Sequence, residues 1–217
     1  MSDVVDCTDP EQRSRGIASA TAAVKNGGLV VLPTDTVYGV GADAFDSAAV
    51  AALLAAKGRG RDMPVPVLVG SWHTIDGLAL LVSKAMRDLI RAFWPGALSL
   101  VVRQAPSVQW DLGDARGTVM LRMPLHAVAI ELLREVGPMA VSSANVSGRP
   151  PAVDAENARE QLGDLVDVYL DAGPSAQQAA STILDLTGAE PRILRAGPVS
   201  AAGIAEVLGL DVASLSG

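Results

Sequence analysis

The chain has 217 residues, of which 49% are apolar and 19% charged, and its mean hydropathy is +0.32. This composition excludes a disordered chain and predicts one large domain or two small ones with a sizeable core. The 17 basic and 24 acidic side chains give a net charge of -7. That balance excludes a generally basic surface for nonspecific nucleic-acid binding, but it allows a local basic cleft.

Cysteine content and the N-terminal sequence bear on metal binding and location. The single cysteine, Cys7, cannot form an intramolecular disulfide, and with only His73 and His126 it cannot complete a Cys/His zinc cage. The acidic N-terminus lacks the basic and apolar regions of a signal peptide, and the longest apolar runs are shorter than the about 20 residues that span a bilayer. We therefore expect a cytoplasmic protein without a structural metal.

Helices and apolar strands are predicted to alternate along the chain. In the first part, the predicted elements are a helix from a capping box at Thr8 to Lys25, a strand at 29–32, a helix from Asp46 or Ser47 to Lys57, a strand at 65–69, a helix from Ser83 to Trp94, and strands at 98–103 and 118–122. After Pro124 they are a helix to Val136, a strand at 139–141, a helix from Asp154 to Leu162, a strand at 166–170, a hairpin of 182–186 and 192–194, and a helix capped by Ser200.

This alternation predicts one α/β domain over residues 1–217, with a core at about 10–208. No repeat or Pro/Ser-rich linker divides the chain. The adjacent strands at 98–103 and 118–122, together with the C-terminal hairpin, predict a mixed sheet rather than a purely parallel one.

Polar segments follow several predicted strands, where open α/β sheets place their ligands. Residues 33–41 supply two threonines, a carboxylate, a phenol and two glycines, and residues 142–148 supply hydroxyls and an amide. On composition alone, an ordinary turn in which the side chains bond their own backbone is slightly favoured for 33–41, and such turns explain 142–148 about as well as ligand binding does. Thr118, Met120 and Arg122 share one strand face, where the arginine would either form an internal salt bridge or clamp a carboxylate or phosphate.

The segment 57–61, Lys-Gly-Arg-Gly-Arg, is a glycine-spaced run of cations at a helix C-terminus. Such a run is usually a solvated end that complements the helix dipole, but in an acidic chain it is also the best candidate for binding a triphosphate. The chain contains neither a Walker A loop nor a dinucleotide fingerprint after a strand. A Ser-His-Asp hydrolase is disfavoured because neither histidine lies near a Gly-x-Ser-x-Gly elbow.

Taken together, these segments resemble the YrdC family of threonylcarbamoyl-adenylate synthases from about Gly27 to Pro198. The matching motifs are Pro33-Thr-Asp-Thr-Val-Tyr-Gly-Val-Gly41, Lys57-x-Arg59, Phe93-Trp-Pro-Gly-Ala-Leu-Ser-Leu100, Thr118-Val-x-x-Arg122-Met-Pro124, Ser142-Ser-Ala-Asn-x-Ser-Gly148, Ser181-Thr-Ile-Leu-Asp185 and Ile193-Leu-Arg-x-Gly197. The pattern is similar to that of the short, single-domain members. It departs from the family at Gly60, Met63 and Leu68, where proline, a polar residue and histidine are frequent.

The resemblance implies a twisted mixed sheet, flanked by helices, around a positively charged cavity. It also implies an ATP-dependent nucleotidyltransferase that joins L-threonine, bicarbonate or CO2, and ATP into L-threonylcarbamoyl-AMP and releases pyrophosphate. The product would pass to a separate transferase that modifies adenosine in tRNA, so direct tRNA binding is expected to be weak or indirect. Mg2+ is expected to arrive with ATP.

Carried over residue by residue, the family pattern implies two binding groups. Lys57 and Arg59 are the implied catalytic residues. ATP contacts fall on Lys57, Arg59, Thr118, Asn145 and Arg195, and threonine contacts fall on Thr36, Arg122, Ser142 and Ser181. Two alternatives stay open: an RNA-binding or ribosome-associated module that uses the same cavity, and a related carbamoyl-adenylate enzyme with another acceptor.

Overall fold

The computed structural model of the protein describes residues 2–177 and 179–215. Within these residues the strands are β1 (Asp3–Asp6), β2 (Val30–Leu32), β3 (Gly39–Asp43), β4 (Val67–Leu68), β5 (Leu98–Arg103), β6 (Thr118–Arg122), β7 (Met139–Ser143), β8 (Val168–Asp171), β9 (Thr182–Asp185) and β10 (Arg192–Arg195). The α-helices are α1 (Pro10–Lys25), α2 (Ser47–Lys57), α3 (Ile75–Leu78), α4 (Lys84–Phe93), α5 (Ala127–Val136), α6 (Ala155–Leu162) and α7 (Ala201–Leu208).

The strands form one mixed sheet in the order β1-β8-β2-β3-β7-β4-β6-β5-β9-β10. Neighbouring pairs are parallel at β1/β8, β2/β8, β4/β6 and β5/β9 and antiparallel at β2/β3, β3/β7, β4/β7, β5/β6 and β9/β10. The predicted mixed α/β sheet is therefore confirmed. The predicted domain of 1–217 includes residues 1, 178, 216 and 217, which lie outside the described residues, so its boundaries stay a prediction.

Two apolar layers cover the two faces of the sheet. Buried residues of α1 and α5 form one layer, and buried residues of α2, α4, α6 and α7 belong to the other. Within β2, Val31 packs into one layer while Val30 and Leu32 pack into the other, as expected for a strand covered on both faces. In the part of the chain that the structure describes, we find no helix with the length and apolar character needed to cross a membrane.

Side-chain caps begin most of the helices at the predicted residues. Asp46, Ser83, Asp154 and Ser200 each accept a backbone N–H from the first turn of the following helix. The predicted Thr8 cap of α1 is wrong: Asp9 accepts the Gln12 N–H at 2.8 Å instead. Thr8 is engaged elsewhere, since its N–H and its hydroxyl both bond to the Asp6 carboxylate.

Three strands differ from the predicted pattern. β1 and β3 were not predicted, because β1 is short and acidic and β3 carries two glycines in place of a β-branched run. The strand predicted at 65–69 is reduced to β4, because Pro66 has no N–H to give to a ladder. Its carbonyl still accepts the Val141 N–H at 2.9 Å.

Glycine is needed at position 39, where β3 passes beneath a side chain of β7. A Cβ added to Gly39 would lie 2.6 Å from Cγ1 of Val141, and the next nearest atom, the Ser142 carbonyl oxygen, would be 3.5 Å away. A contact of 2.6 Å is well inside van der Waals separation, so the valine would have to move. Gly39 and Val141 both line the cavity described below, so this packing also sets the shape of its floor.

We predict that Gly39→Ala lowers the free energy of unfolding by about 1–3 kcal/mol, the usual cost of overpacking a core. Because the clash involves one side chain, the double variant Gly39→Ala/Val141→Ala should lose less than the sum of the two single losses. Urea denaturation of the three variants measures this coupling. Additive losses would show that Val141 is not the obstacle.

Candidate active site

A cavity of about 250 Å³ opens over the central strands of the sheet. Its polar lining comes from the segment after β2, the loop after α2, and the ends of β6, β7, β9 and β10. Its apolar lining includes Leu68, Met120, Val141 and Ile183. The described lining residues include three arginines and no carboxylate, which is the reverse of the chain's overall charge.

Each of these arginines donates a hydrogen bond to a side-chain hydroxyl from another part of the chain. The pairs are Arg59 Nη1 to Ser142 Oγ at 3.0 Å, Arg122 Nη1 to Thr36 Oγ1 at 2.9 Å, and Arg195 Nη2 to Ser181 Oγ at 3.1 Å. These six are among the nine residues that the sequence assigned to ATP or threonine. A hydroxyl that accepts from an arginine keeps its own proton for another partner. Each pair can therefore donate from guanidinium N–H groups and from a hydroxyl O–H.

Arg122 is the most deeply buried of the three arginines. Its side chain is 8% exposed and forms an ion pair with Asp35, which is equally buried. Its Nε also donates to the Gly96 carbonyl at 2.9 Å. Burial lowers the pKa of Arg122, Asp35 opposes that shift, and the charge of Arg195 adds to it. The sequence left two alternatives for Arg122, an internal salt bridge or a clamp on a carboxylate or phosphate. The structure shows the salt bridge with Asp35 and places Arg122 in the lining of the cavity, so the clamp stays a prediction.

Thr36 is held through a second threonine. Thr34 Oγ1 donates its one proton to the Val37 carbonyl at 2.7 Å and lies 3.0 Å from Thr36 Oγ1. The proton of this threonine pair therefore belongs to Thr36, because Thr34 has none left to give. Thr36 can direct that proton toward Thr34 or toward a bound ligand while it accepts from Arg122.

Arg59 and Arg195 differ from Arg122 in having no carboxylate within ion-pair distance among the residues that the structure describes. Burial lowers the pKa of both groups, and for Arg59 the nearby Asp62 partly opposes the shift. A guanidinium stays charged at neutral pH even so. Two partly desolvated cations without an internal counter-ion are suited to bind an anionic ligand.

Ser99 joins the site beside Ser181, and the sequence did not assign it a role. The two hydroxyl oxygens lie 2.8 Å apart, and Ser99 is 3% exposed. Arg195 also donates to the Ser181 carbonyl from Nε and Nη2, at 3.0 and 2.8 Å. The resemblance included Ser99 within a matching motif, and that inclusion is the only signal that the sequence offered.

Lys57 and Asn145 lie outside the lining of the cavity. Lys57 Nζ donates to the carbonyls of Ser143 and Asn145 and to Oδ1 of Asn145, so its three protons are occupied. Burial, followed by the charge of Arg59, lowers the pKa of Lys57 to about 8. Asn145 in turn donates to the carbonyls of Val146 and Arg149. Through these hydrogen bonds both residues stabilise the segment after β7. Their contact with ATP stays a prediction.

Thr118 also lies away from the cavity, although Met120 and Arg122 on the same face of β6 line it. Its hydroxyl donates to the Ala115 carbonyl at 2.7 Å at the start of the strand. The three residues share one face of the strand, as alternation predicted, but of these three only Met120 and Arg122 line the cavity. The predicted contact of Thr118 with ATP also stays a prediction.

The loop after α2 separates its two arginines. Arg59 turns toward the cavity, and its Nε donates to the Met63 carbonyl at 2.8 Å. Position 63 departs from the family pattern in its side chain, but its backbone carbonyl still holds the arginine. Arg61 is 54% exposed and pairs with Asp111 at 2.7 Å. Leu68 is buried and lines the cavity, so an apolar group stands where histidine is frequent in the family.

No cluster of three or more His, Cys, Asp or Glu side chains arranged to hold a metal ion occurs in residues 2–177 and 179–215. The phenol of Tyr38, a candidate ligand contact, is engaged with the Gly173 carbonyl at 2.7 Å, and burial raises its pKa. His126 occupies the position before α5, and His73 lies in a short surface turn stacked on Trp72.

Comparison with known proteins gives concordant results. A Mycobacterium tuberculosis protein provisionally named threonylcarbamoyl-AMP synthase is 77% identical over 217 residues, which is 100% of both chains. A Mycobacterium leprae protein of the same provisional name is 78% identical over 215 residues, covering 99% of this chain and 98% of that one.

Solved structures extend the similarity to the fold. Sua5 of P. abyssi in complex with L-threonine superposes with a TM-score of 0.90 at 32% identity, and the match covers 96% of this chain and 61% of that one. This chain thus spans less than two thirds of the length of that Sua5. YciO of E. coli, at 23% identity and a TM-score of 0.83 over 94% of this chain and 100% of that one, shares the fold.

The sequence model of one family, named for Sua5, YciO and YrdC and described as telomere recombination, matches residues 22–197. That range contains all nine residues assigned to the site and the whole lining of the cavity. The chain therefore belongs to the Sua5, YciO and YrdC family.

Proposed function

We propose that this protein is a nucleotidyltransferase that makes L-threonylcarbamoyl-AMP from L-threonine, bicarbonate or CO2, and ATP. The observation that carries the proposal is the single cavity in which three arginine–hydroxyl pairs converge. Relatives that share 77% and 78% of its residues carry the name threonylcarbamoyl-AMP synthase, provisionally, and Sua5 of P. abyssi binds L-threonine.

The proposed reaction does not require a nucleophile from the protein. The unprotonated threonine nitrogen attacks CO2, a C–N bond forms as one C=O π bond opens onto oxygen, and the nitrogen loses a proton to solvent to give a carbamate. A carbamate oxygen then attacks the α-phosphate of ATP, an O–P bond forms, and the bond to pyrophosphate breaks. Such a transfer needs alignment of reactants and stabilisation of phosphate charge rather than covalent catalysis.

The two kinds of arginine in the cavity suit the two kinds of substrate. Arg122, already neutralised by Asp35, fits the carboxylate of an amino acid, with Thr36, Ser142 and Ser181 around its amino and hydroxyl groups. The remaining arginines, Arg59 and Arg195, have no internal counter-ion among the described residues and fit the highly charged polyphosphate. Lys57, Asn145 and Thr118 then act on ATP either indirectly or after a local rearrangement.

Mg2+ enters this proposal as part of the MgATP substrate. The described residues offer no carboxylate cluster near the cavity, and Mg2+ is commonly bound through substrate phosphates and retained waters. The product is a mixed anhydride, which is consumed by a separate transferase that passes the threonylcarbamoyl group to adenosine in tRNA.

We predict that purified protein releases pyrophosphate from MgATP only when L-threonine and bicarbonate are both present. The carbamate oxygen that attacks the α-phosphate does not exist until both have reacted, so omission of either should abolish release. A coupled phosphate assay with each component omitted in turn measures this. Equal release of pyrophosphate without threonine would favour a related carbamoyl-adenylate enzyme with another acceptor. A protein that releases no pyrophosphate but binds RNA in the cavity would favour the RNA-binding module.

We predict that Arg59→Ala weakens kcat/KM for ATP by the equivalent of about 2–4 kcal/mol, the range for losing a donor that faces developing phosphate charge. Arg61→Ala is the matched control two residues away. Its exposed pair with Asp111 should contribute little, so activity should stay close to that of the wild type. Steady-state kinetics measure kcat/KM for ATP in both variants. Equal losses would show that the loop acts only through its overall positive charge and that Arg59 has no specific contact.

A further inference from the structure

Asp35 anchors Arg122 without lining the cavity itself. Its Oδ1 accepts from Arg122 Nη2 and from the backbone N–H of Leu125, the latter at 2.9 Å. Both side chains of the ion pair are 8% exposed. One carboxylate oxygen therefore joins the segment after β2 to the turn between β6 and α5, and it holds the end of the guanidinium at that junction.

The donors of Arg122 are divided between the protein and the cavity. A guanidinium has five N–H groups. Three of them are engaged with Gly96, Thr36 and Asp35, one on each nitrogen. One N–H remains on each of Nη1 and Nη2, and these two belong to a side chain that lines the cavity. Together with Gly96 and Thr36, Asp35 thus leaves these two N–H groups as the guanidinium donors without a partner among the described residues.

Charge explains why a carboxylate occupies this position. A buried guanidinium is stable only beside a counter-ion, and removal of one partner from a buried pair leaves an uncompensated charge. A neutral acceptor at position 35 would preserve the hydrogen bond but would leave the charge of Arg122 without its counter-ion. The neighbouring Arg195 increases that demand, since its positive charge also lowers the pKa of Arg122.

We propose that Asp35 is the positioning residue of the amino-acid subsite: it orients and neutralises Arg122 so that its two remaining N–H groups bind the threonine carboxylate rather than a phosphate of ATP. This inference rests on the proposed function, because it assigns threonine to Arg122. Asp35 acts through Arg122 and makes no contact of its own with the substrate. Its loss should therefore affect threonine far more than ATP.

The test measures binding of L-threonine and of MgATP separately, by calorimetric titration, in the wild type and in Asp35→Asn. The asparagine keeps an oxygen for Leu125 and Arg122 but lacks the charge. We expect the Kd for threonine to rise about tenfold or more while the Kd for ATP changes less than about threefold. A purely structural role would weaken both ligands alike, and that result would overturn the proposal.

Tyr169→Phe is the matched control for a loss of stability alone. Tyr169 lies on β8, and its hydroxyl donates to the Gly163 carbonyl at 2.7 Å. Tyr169 does not line the cavity. The variant should lower the melting temperature without changing either Kd. A rise in the threonine Kd of this control equal to that of Asp35→Asn would also overturn the proposal, because instability alone would then explain the effect.

The double variant keeps the test decisive if Asp35→Asn folds poorly. Arg122→Gln together with Asp35→Asn removes both buried charges, which proteins tolerate better than the loss of one. If Asp35 acts through Arg122, the double variant and Arg122→Gln should bind threonine within about twofold of each other. A further weakening of about tenfold in the double variant would show that Asp35 acts independently.

Binding also separates this inference from the proposed function. If the wild type binds threonine but releases no pyrophosphate, the proposed reaction fails while the effect of Asp35→Asn on the threonine Kd still decides the role of Asp35. If the wild type releases pyrophosphate as proposed but Asp35→Asn binds threonine normally, only the inference fails. A wild type that binds no threonine would overturn both.

Discussion

The buried ion pair between Asp35 and Arg122 is the interaction on which the cavity depends. It brings a guanidinium into the centre of an apolar sheet, where a lone charge would be unstable. Through Gly96, Thr36 and Leu125, the pair connects three separate segments of the chain. The arrangement of the cavity walls therefore depends on this ion pair as well as on apolar packing.

A difference in charge compensation distinguishes two kinds of arginine in the cavity. Arg122 carries its own counter-ion, while Arg59 and Arg195 rely on hydroxyls and backbone carbonyls. A zwitterionic amino acid and a polyanionic nucleotide make opposite demands on their surroundings, so such a division lets one cavity hold both. It also reconciles the proposed binding of ATP with a net charge of -7, since the favourable charge is local.

The sequence was sufficient to predict the mixed sheet and most helix caps, because alternation and capping are local signals. The six residues that form the arginine–hydroxyl pairs were among the nine that the resemblance to the YrdC family implied. The sequence did not predict β3, whose glycines are explained only by the valine of the neighbouring strand. Nor could it show that Lys57 is occupied by carbonyls of β7 and the segment after it, or that Asp35 faces Arg122, because these contacts join residues far apart in the chain.

The most direct measurement is a crystal structure of the protein with L-threonine, Mg2+ and a nonhydrolysable ATP analogue bound together. The account predicts the threonine carboxylate within hydrogen-bond distance of the Arg122 guanidinium, with the Asp35 pair intact. It also predicts the polyphosphate against Arg59 and Arg195. A phosphate on Arg122, a threonine carboxylate held by Arg59, or either ligand bound outside the cavity would contradict it.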